Sequence, residues 1–231
     1  MRPCAGTGHM HGFDRVYGVT RPASRLLFQK APRANDLITI YEPLDEADCR
    51  LIGEVAGAAK CCVRLTPKVG KSFDSLAWAQ HLVGCESLWI DTTRDCTFSW
   101  QDIESLPAGL HELLLPTVRD NRYSRIDFSR FDGLRRLSVS GKLKDLRFLA
   151  ALRNLHQLGL WRVSLDSLDG IESLPLLEVL QIQHARIKDA GKIAQCATLK
   201  RLAVDDTRRI SGLDLRDSSL VVTTDLSAEE S

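Results

Sequence analysis

The C-terminal half of the chain repeats itself, and the period restricts the fold more than any other feature. Leu134, Leu137 and Val139 open one copy of the pattern L-x-x-L-x-L, and Leu155, Leu158 and Leu160 open the next. Leu177, Leu180 and Ile182 follow, then Leu199, Leu202 and Val204, with starts 21, 22 and 22 residues apart. The register persists beyond the opening motif. Apolar residues at Val163, Leu165, Leu168, Ile171 and Leu174 recur at the same offsets as Ala185, Ile187, Ala190, Ile193 and Cys196. In the first of these copies Leu143, Leu146, Leu149 and Leu152 match with one residue deleted. A period of this length describes a stack of small units, none of which can bury its apolar face alone.

Two looser copies precede the regular four. Cys85, Leu88 and Ile90 lead to Phe98, Ile103 and Leu106; Leu110, Leu113 and Leu115 lead to Ile126, Phe128 and Phe131. Their periods of 25 and 24 residues predict a longer return, helical across Trp100–Leu106. A weaker copy starts near Lys60, with Val63 and Leu65 as its inward residues. Within each copy the x-L-x-L alternation predicts a short strand with one buried face. The later every-third spacing predicts a tight 3₁₀-like return.

These repeats resemble those of the leucine-rich-repeat family, in particular its short 21–22-residue classes in bacterial surface proteins and phosphatase-regulating proteins. The resemblance is close over residues 134–213 and looser before them. The chain departs from the family at the ninth position of the repeat. There Val118, Lys142, Val163, Ala185 and Thr207 stand where Asn or Cys usually forms a side-chain ladder. The resemblance implies an α/β repeat fold: a leucine-rich-repeat solenoid with a curved parallel sheet, a convex side of 3₁₀ or short helical segments, and an N-terminal α/β cap. It also implies a protein-binding platform without catalytic activity.

In such a fold, positions 3, 5 and 7 of each copy face outward on the concave side. The partner-binding residues expected there are Trp89, Asp91, Glu112, Arg136, Gln157, Trp161, Gln181, Gln183, Arg201 and Asp205. Trp and Arg are over-represented among residues that dominate interface energy, so Trp89, Arg136 and Trp161 form the expected centre. Trp161 is expected to lie beside Arg136 and Gln181. The alternative for both tryptophans is packing onto neighbouring loops.

The N-terminal region is of another kind. Residues 1–36, rich in Gly, Pro, Arg and Ala, are expected to be a flexible segment. Residues 37–59 read as a strand-helix cap, with a strand over 37–41 and a helix over 44–59. Asp45 lies near the helix start, and Leu44, Ala47, Leu51, Val55 and Ala59 are its expected apolar stripe. Residues 60–222 form the repeat domain, with Leu220-Val221-Val222 as a last strand, and 223–231 an acidic tail containing Glu229 and Glu230.

A net charge of +1 gives no bulk attraction to nucleic acid or anionic lipid. Leu134-Arg135-Arg136-Leu137 and Arg208-Arg209 are the densest cationic spots, with acidic residues interspersed. No apolar run approaches the ~20 residues needed to cross a bilayer. Seven cysteines without framework spacing, and no apolar secretory core at the start, point to a reducing, cytoplasmic setting.

The chemical motifs are fragments. His9 and His11 with Cys4 offer three ligand types in a flexible stretch, and Gly6-Thr7-Gly8 has no strand before it and no G-K-[ST] after it. His111-Glu112 lacks a second His at position 115, which is Leu. Cys61-Cys62 is not a C-x-x-C pair. No cofactor, metal or small-molecule substrate is therefore expected. The expected function is non-enzymatic binding of another protein, as an inhibitor or an antitoxin or immunity-type protein. The alternative is a substrate-recognition or scaffolding subunit, of the phosphatase-regulator or ligase-adaptor type. An enzyme with its site in the N-terminal region is the third reading.

Each inward Leu is worth roughly 1.5–3 kcal/mol when fully buried. Asn at Leu158 or Leu180 is expected to unfold several repeats, seen as loss of the cooperative far-UV circular dichroism transition.

Overall fold

The computed structural model describes residues 13–19, 31–69, 71–91, 98–207, 209–213 and 221–225. It divides into two compact units, one drawn from residues 1–117 and 125–134, the other from 118–124 and 135–231. All the paired strands are parallel, as the leucine-rich-repeat solenoid requires.

In the first unit the strands β1 (Arg15–Val19), β2 (Asp36–Ile40), β3 (Cys62–Leu65), β4 (Ser87–Ile90) and β5 (Glu112–Leu114) follow one another in sequence order. Their register aligns Ile38, Val63, Leu88 and Leu113 in one inward row, and Ile40, Leu65 and Ile90 in a second. None of these side chains exceeds 1% exposure. The expected helix across Trp100–Leu106 is present as a short turn, Gln101–Glu104.

Strand β1 lies inside the segment expected to be flexible. An ion pair of 3.0 Å between Arg15 and the fully buried Asp36 holds it to β2. Asp36 also accepts from the backbone N–H of Arg33 and from the hydroxyl of Tyr17. Arg-Val-Tyr-Gly-Val has a weak strand signature, and its partner carboxylate lies far along the chain. That is why local reading does not find it.

Helix α1 (Glu46–Ala59) starts where Asp45 accepts from the backbone N–H of Asp48 at 2.8 Å, a side-chain N-cap. It ends at Lys60, whose left-handed backbone (φ 56°) returns its N–H to the last turn. Its buried face differs from the expected stripe. Cys49, Ile52, Gly53 and Ala56 are buried, whereas Ala47 is exposed and Leu51, Val55 and Ala59 are only half-buried. Close approach is the reason. A Cβ on Gly53 would stand 2.3 Å from the Val83 carbonyl oxygen, and one on Gly57 2.3 Å from that of Gly84. The helix presents its small residues to this backbone, a preference that a bulk-weighted apolar pattern cannot register.

The second unit contains β6 (Arg136–Leu143), β7 (Gln157–Leu165), β8 (Val179–Gln183), β10 (Arg201–Asp205) and β12 (Val221–Asp225), paired in that order. Leu137, Leu158, Leu180 and Leu202 align as one buried row. Val139, Leu160, Ile182 and Val204 form the next. Two short strands, β9 (Arg186–Ile187) and β11 (Arg209–Ile210), pair past the end of this sheet and continue the distal half of β7.

The returns are 3₁₀ turns at Arg147–Ala151, Ile171–Ser173 and Gly191–Gln195. Their buried residues are also the hydrogen-bond donors. Leu149 bonds back to Leu146, Leu152 to Leu149, Ile171 to Leu168 and Leu174 to Ile171. Every-third apolar spacing and i→i−3 bonding are thus one property. Leu220, Glu229 and Glu230 lie outside the described residues.

The Gly53→Ala variant is expected to lose about 1–3 kcal/mol through overpacking against Val83. Gly109→Ala, where a Cβ would meet nothing within 4 Å, should stay within about 0.5 kcal/mol. Urea unfolding midpoints measure both.

Candidate functional site

In the second unit the outward residues form three rows across neighbouring strands about 4.8 Å apart. One row is Arg136, Gln157, Val179 and Arg201; the next is Ser138, Gly159, Gln181 and Ala203; the third is Ser140, Trp161, Gln183 and Asp205. Side-chain hydrogen bonds tie these rows together. Gln157 Nε2 donates to Gln181 Oε1 at 3.0 Å, and Gln183 Nε2 donates to Asp205 Oδ2 at 2.6 Å. The second bond fixes the orientation of the Gln183 amide, because a carboxylate only accepts. Arg201 is exposed and carries no ion pair among the described residues.

Trp161 is half-buried, with the Arg162 guanidinium 4.9 Å from its ring centroid, a cation–π contact. Its indole N–H is buried and meets no acceptor among the described residues. The exposed part of this side chain is therefore apolar ring. The strand register corrects the expected neighbourhood of Trp161. Its cross-strand neighbours are Ser140 and Gln183, while Arg136 pairs with Gln157, four residues back along the strand or roughly 13 Å.

In the first unit the corresponding row is Thr39, Arg64, Trp89 and Leu114. Trp89 makes an edge contact with Phe13 at 5.4 Å, and its own N–H is buried without an acceptor among the described residues. Arg64 Nη1 lies 3.9 Å from Asp91 Oδ2, and Asp91 is exposed. Glu112, expected to face a partner, is only 6% exposed and accepts from Ser87 Oγ at 3.0 Å, so it serves the interior. Sequence reasoning missed Arg64 and Phe13. The alternation of Val63 and Leu65 in the weak early copy carries the signal for Arg64; nothing local marks Phe13.

Reactive chemistry has little footing on these surfaces. Burial pushes the Cys85 thiol up to about 12 and the Cys196 thiol to about 11. Cys61 and Cys62 are buried at the start of β3, and His111-Glu112 leads into a strand, not the helix a zinc-protease motif needs. Among the described residues no group of three or more His, Cys, Asp or Glu side chains could hold a metal ion, and no helix is long and apolar enough to cross a membrane. Cys4, Gly6-Thr7-Gly8, His9 and His11 lie outside the described residues.

Comparison with solved structures decides the fold. Internalin C2 of Listeria monocytogenes superposes with a TM-score of 0.51 at 18% identity, covering 78% of this chain and 83% of that one. The fold is that of a leucine-rich-repeat protein. A second internalin of the same organism, InlF, matches with a TM-score of 0.50 at 18% identity over 80% of this chain. This chain spans 51% of the length of InlF. No protein-family model matches the sequence, and no curated protein matches it.

Among the described residues Cys49, Cys61, Cys62 and Cys85 are buried thiols outside any disulfide, and Cys196 is a half-buried one. In a C4S/C96S background, native protein at pH 8 is expected to leave these five thiols essentially unlabelled by iodoacetamide within minutes, and denatured protein to label all five, read by intact mass.

Proposed function

We propose that this protein is a non-enzymatic binding module that grips another protein with the strand face of its second unit, with Trp161 as the anchor. The observation that carries this reading is the state of that face. An apolar indole surface stands beside a Gln183–Asp205 pair and a Gln157–Gln181 pair that are already hydrogen-bonded. Such a face loses little side-chain entropy on docking, so more of its contact energy appears as affinity. Arg201 and Asp205 supply charges of both signs at its edge, fitting a polar rim around an aromatic centre.

Within this reading we assign the role of an inhibitor or an antitoxin or immunity-type protein. A rigid, pre-ordered face favours slow dissociation and one-to-one occupancy over the transient contacts of a substrate-recognition subunit. The five cysteines among the described residues are thiols outside any disulfide, which supports a reducing, cytoplasmic location.

The partner should be recovered by co-purification from the native host, and its affinity measured by calorimetry. Trp161→Ala is expected to weaken binding by at least about 2 kcal/mol, or roughly thirtyfold, with the circular dichroism spectrum unchanged. Unaltered affinity in a folded Trp161→Ala variant would remove this face as the site.

A further inference from the structure

Beyond the strand face, the second unit carries another surface just past the bend of each repeat. The eighth residues of the four regular copies, Gly141, Arg162, His184 and Asp206, all have positive φ. The ninth, at Val163 and Ala185, turns inward and is buried. The next outward residue is the tenth at Ser164 and Arg186, the ninth at Lys142 and the eleventh at Arg209, and the register places these four side by side. All four are exposed.

Among the described residues Lys142, Arg186 and Arg209 have no ion-pair partner within 4.0 Å. The neighbouring carboxylate, Asp166, already accepts from Lys188 at 2.7 Å. Lys142 and Lys144 also stabilise its charge, and all three lysines hold the Asp166 carboxyl below its ordinary value. An open groove of about 610 Å³ lies at the Arg186–Arg209 end of this row, lined by Arg186, Ile187, Lys188, Arg209 and Ser211. This is a narrow cationic track on a chain of near-zero net charge.

We propose that this track is a second binding surface, separate from the strand face, and that it takes an extended acidic polypeptide segment. Adjacent strands lie about 4.8 Å apart, so the row from Arg209 to Lys142 spans roughly 14 Å. Alternate side chains of an extended chain fall every ~6.6 Å on one side. Three carboxylates at i, i+2 and i+4 therefore span the same length as the row. Guanidinium forks at Arg186 and Arg209 match carboxylate geometry. Charge placement favours a polypeptide over a nucleic acid. Asp206 stands on one side of the row and Asp166 and Asp189 on the other. A one-residue-wide strand fits between them, whereas a broad polyanion meets them.

The test uses the full chain and a fluorescein-labelled peptide in which three Glu alternate with Gly, followed by fluorescence anisotropy. Saturable binding that weakens with added salt is expected. Arg186→Glu with Arg209→Glu should weaken it by at least about tenfold, and Arg186→Gln with Arg209→Gln less so. Arg147→Glu, whose wild-type side chain is already paired with Asp169, and Trp161→Ala should leave it unchanged. The proposal is overturned if a Gln-for-Glu peptide binds equally well, or if the folded double reversal binds as wild type. A single-stranded oligonucleotide of equal charge binding more tightly would overturn it in favour of nucleic acid. Because Trp161→Ala tests the strand face separately, failure of either surface can be told from failure of the other.

Discussion

Every other property of this protein rests on the burial of two inward side chains per repeat between the strands on either side. A strand of four or five residues has no stability of its own in water. Leu158 and Leu160 become buried only because Leu137 and Val139 lie on one side and Leu180 and Ile182 on the other. The return segments obey the same rule. Leu168 donates its backbone N–H to the Asp189 carbonyl of the next return, while its side chain is fully buried. Apolar stacking and the backbone ladder therefore share one spacing, and that spacing sets the distance between outward rows. An outward face made this way inherits its dimensions from the core.

The bend after each strand is solved without the asparagine ladder of the family pattern. Of the residues at that ninth position Val118, Val163 and Ala185 are buried and apolar, and ahead of Val163 and Ala185 the turn is made one residue earlier by a left-handed backbone. Gly141 adopts it freely; a Cβ there would stand 1.9 Å from the Val118 carbonyl oxygen. Arg162, His184 and Asp206 adopt it at a cost on the order of 1 kcal/mol each. Inter-strand pairing on both sides of the bend holds them there. His184 and Asp206 are also joined at 2.6 Å, and Arg162 stacks on Trp161. The strained residues thus help position the face that precedes them.

What could be read from the sequence was whatever is local or periodic. The inward rows, the 3₁₀ returns and the outward positions of Trp161, Gln183 and Arg201 all follow from spacing within one repeat. The features that escaped depend on contacts the spacing does not encode. Strand β1 needs Asp36, and the buried face of α1 is chosen by the approach of Gly53 to the backbone at Val83. Glu112 sits at an outward position yet is covered, because alternation gives direction and not exposure. Trp161 was placed beside Arg136 by proximity in the motif, whereas register puts Ser140 and Gln183 beside it.

Alternation also separates stability from recognition, and the separation is incomplete in an informative way. An outward residue in the middle of the sheet can change without disturbing the inward rows. Where outward residues have become buried, as at Ser140 and Glu112, that freedom is lost. Ser140 is bonded through its backbone to the hydroxyl of Tyr123, a fully buried side chain. Trp161 is the cross-strand neighbour of Ser140, so one side of the proposed anchor is fixed by the core. Its other neighbour, Gln183, is held by Asp205 and through it by the next strand. Trp161 therefore has both of its cross-strand neighbours fixed, an arrangement that suits the anchor role proposed for it.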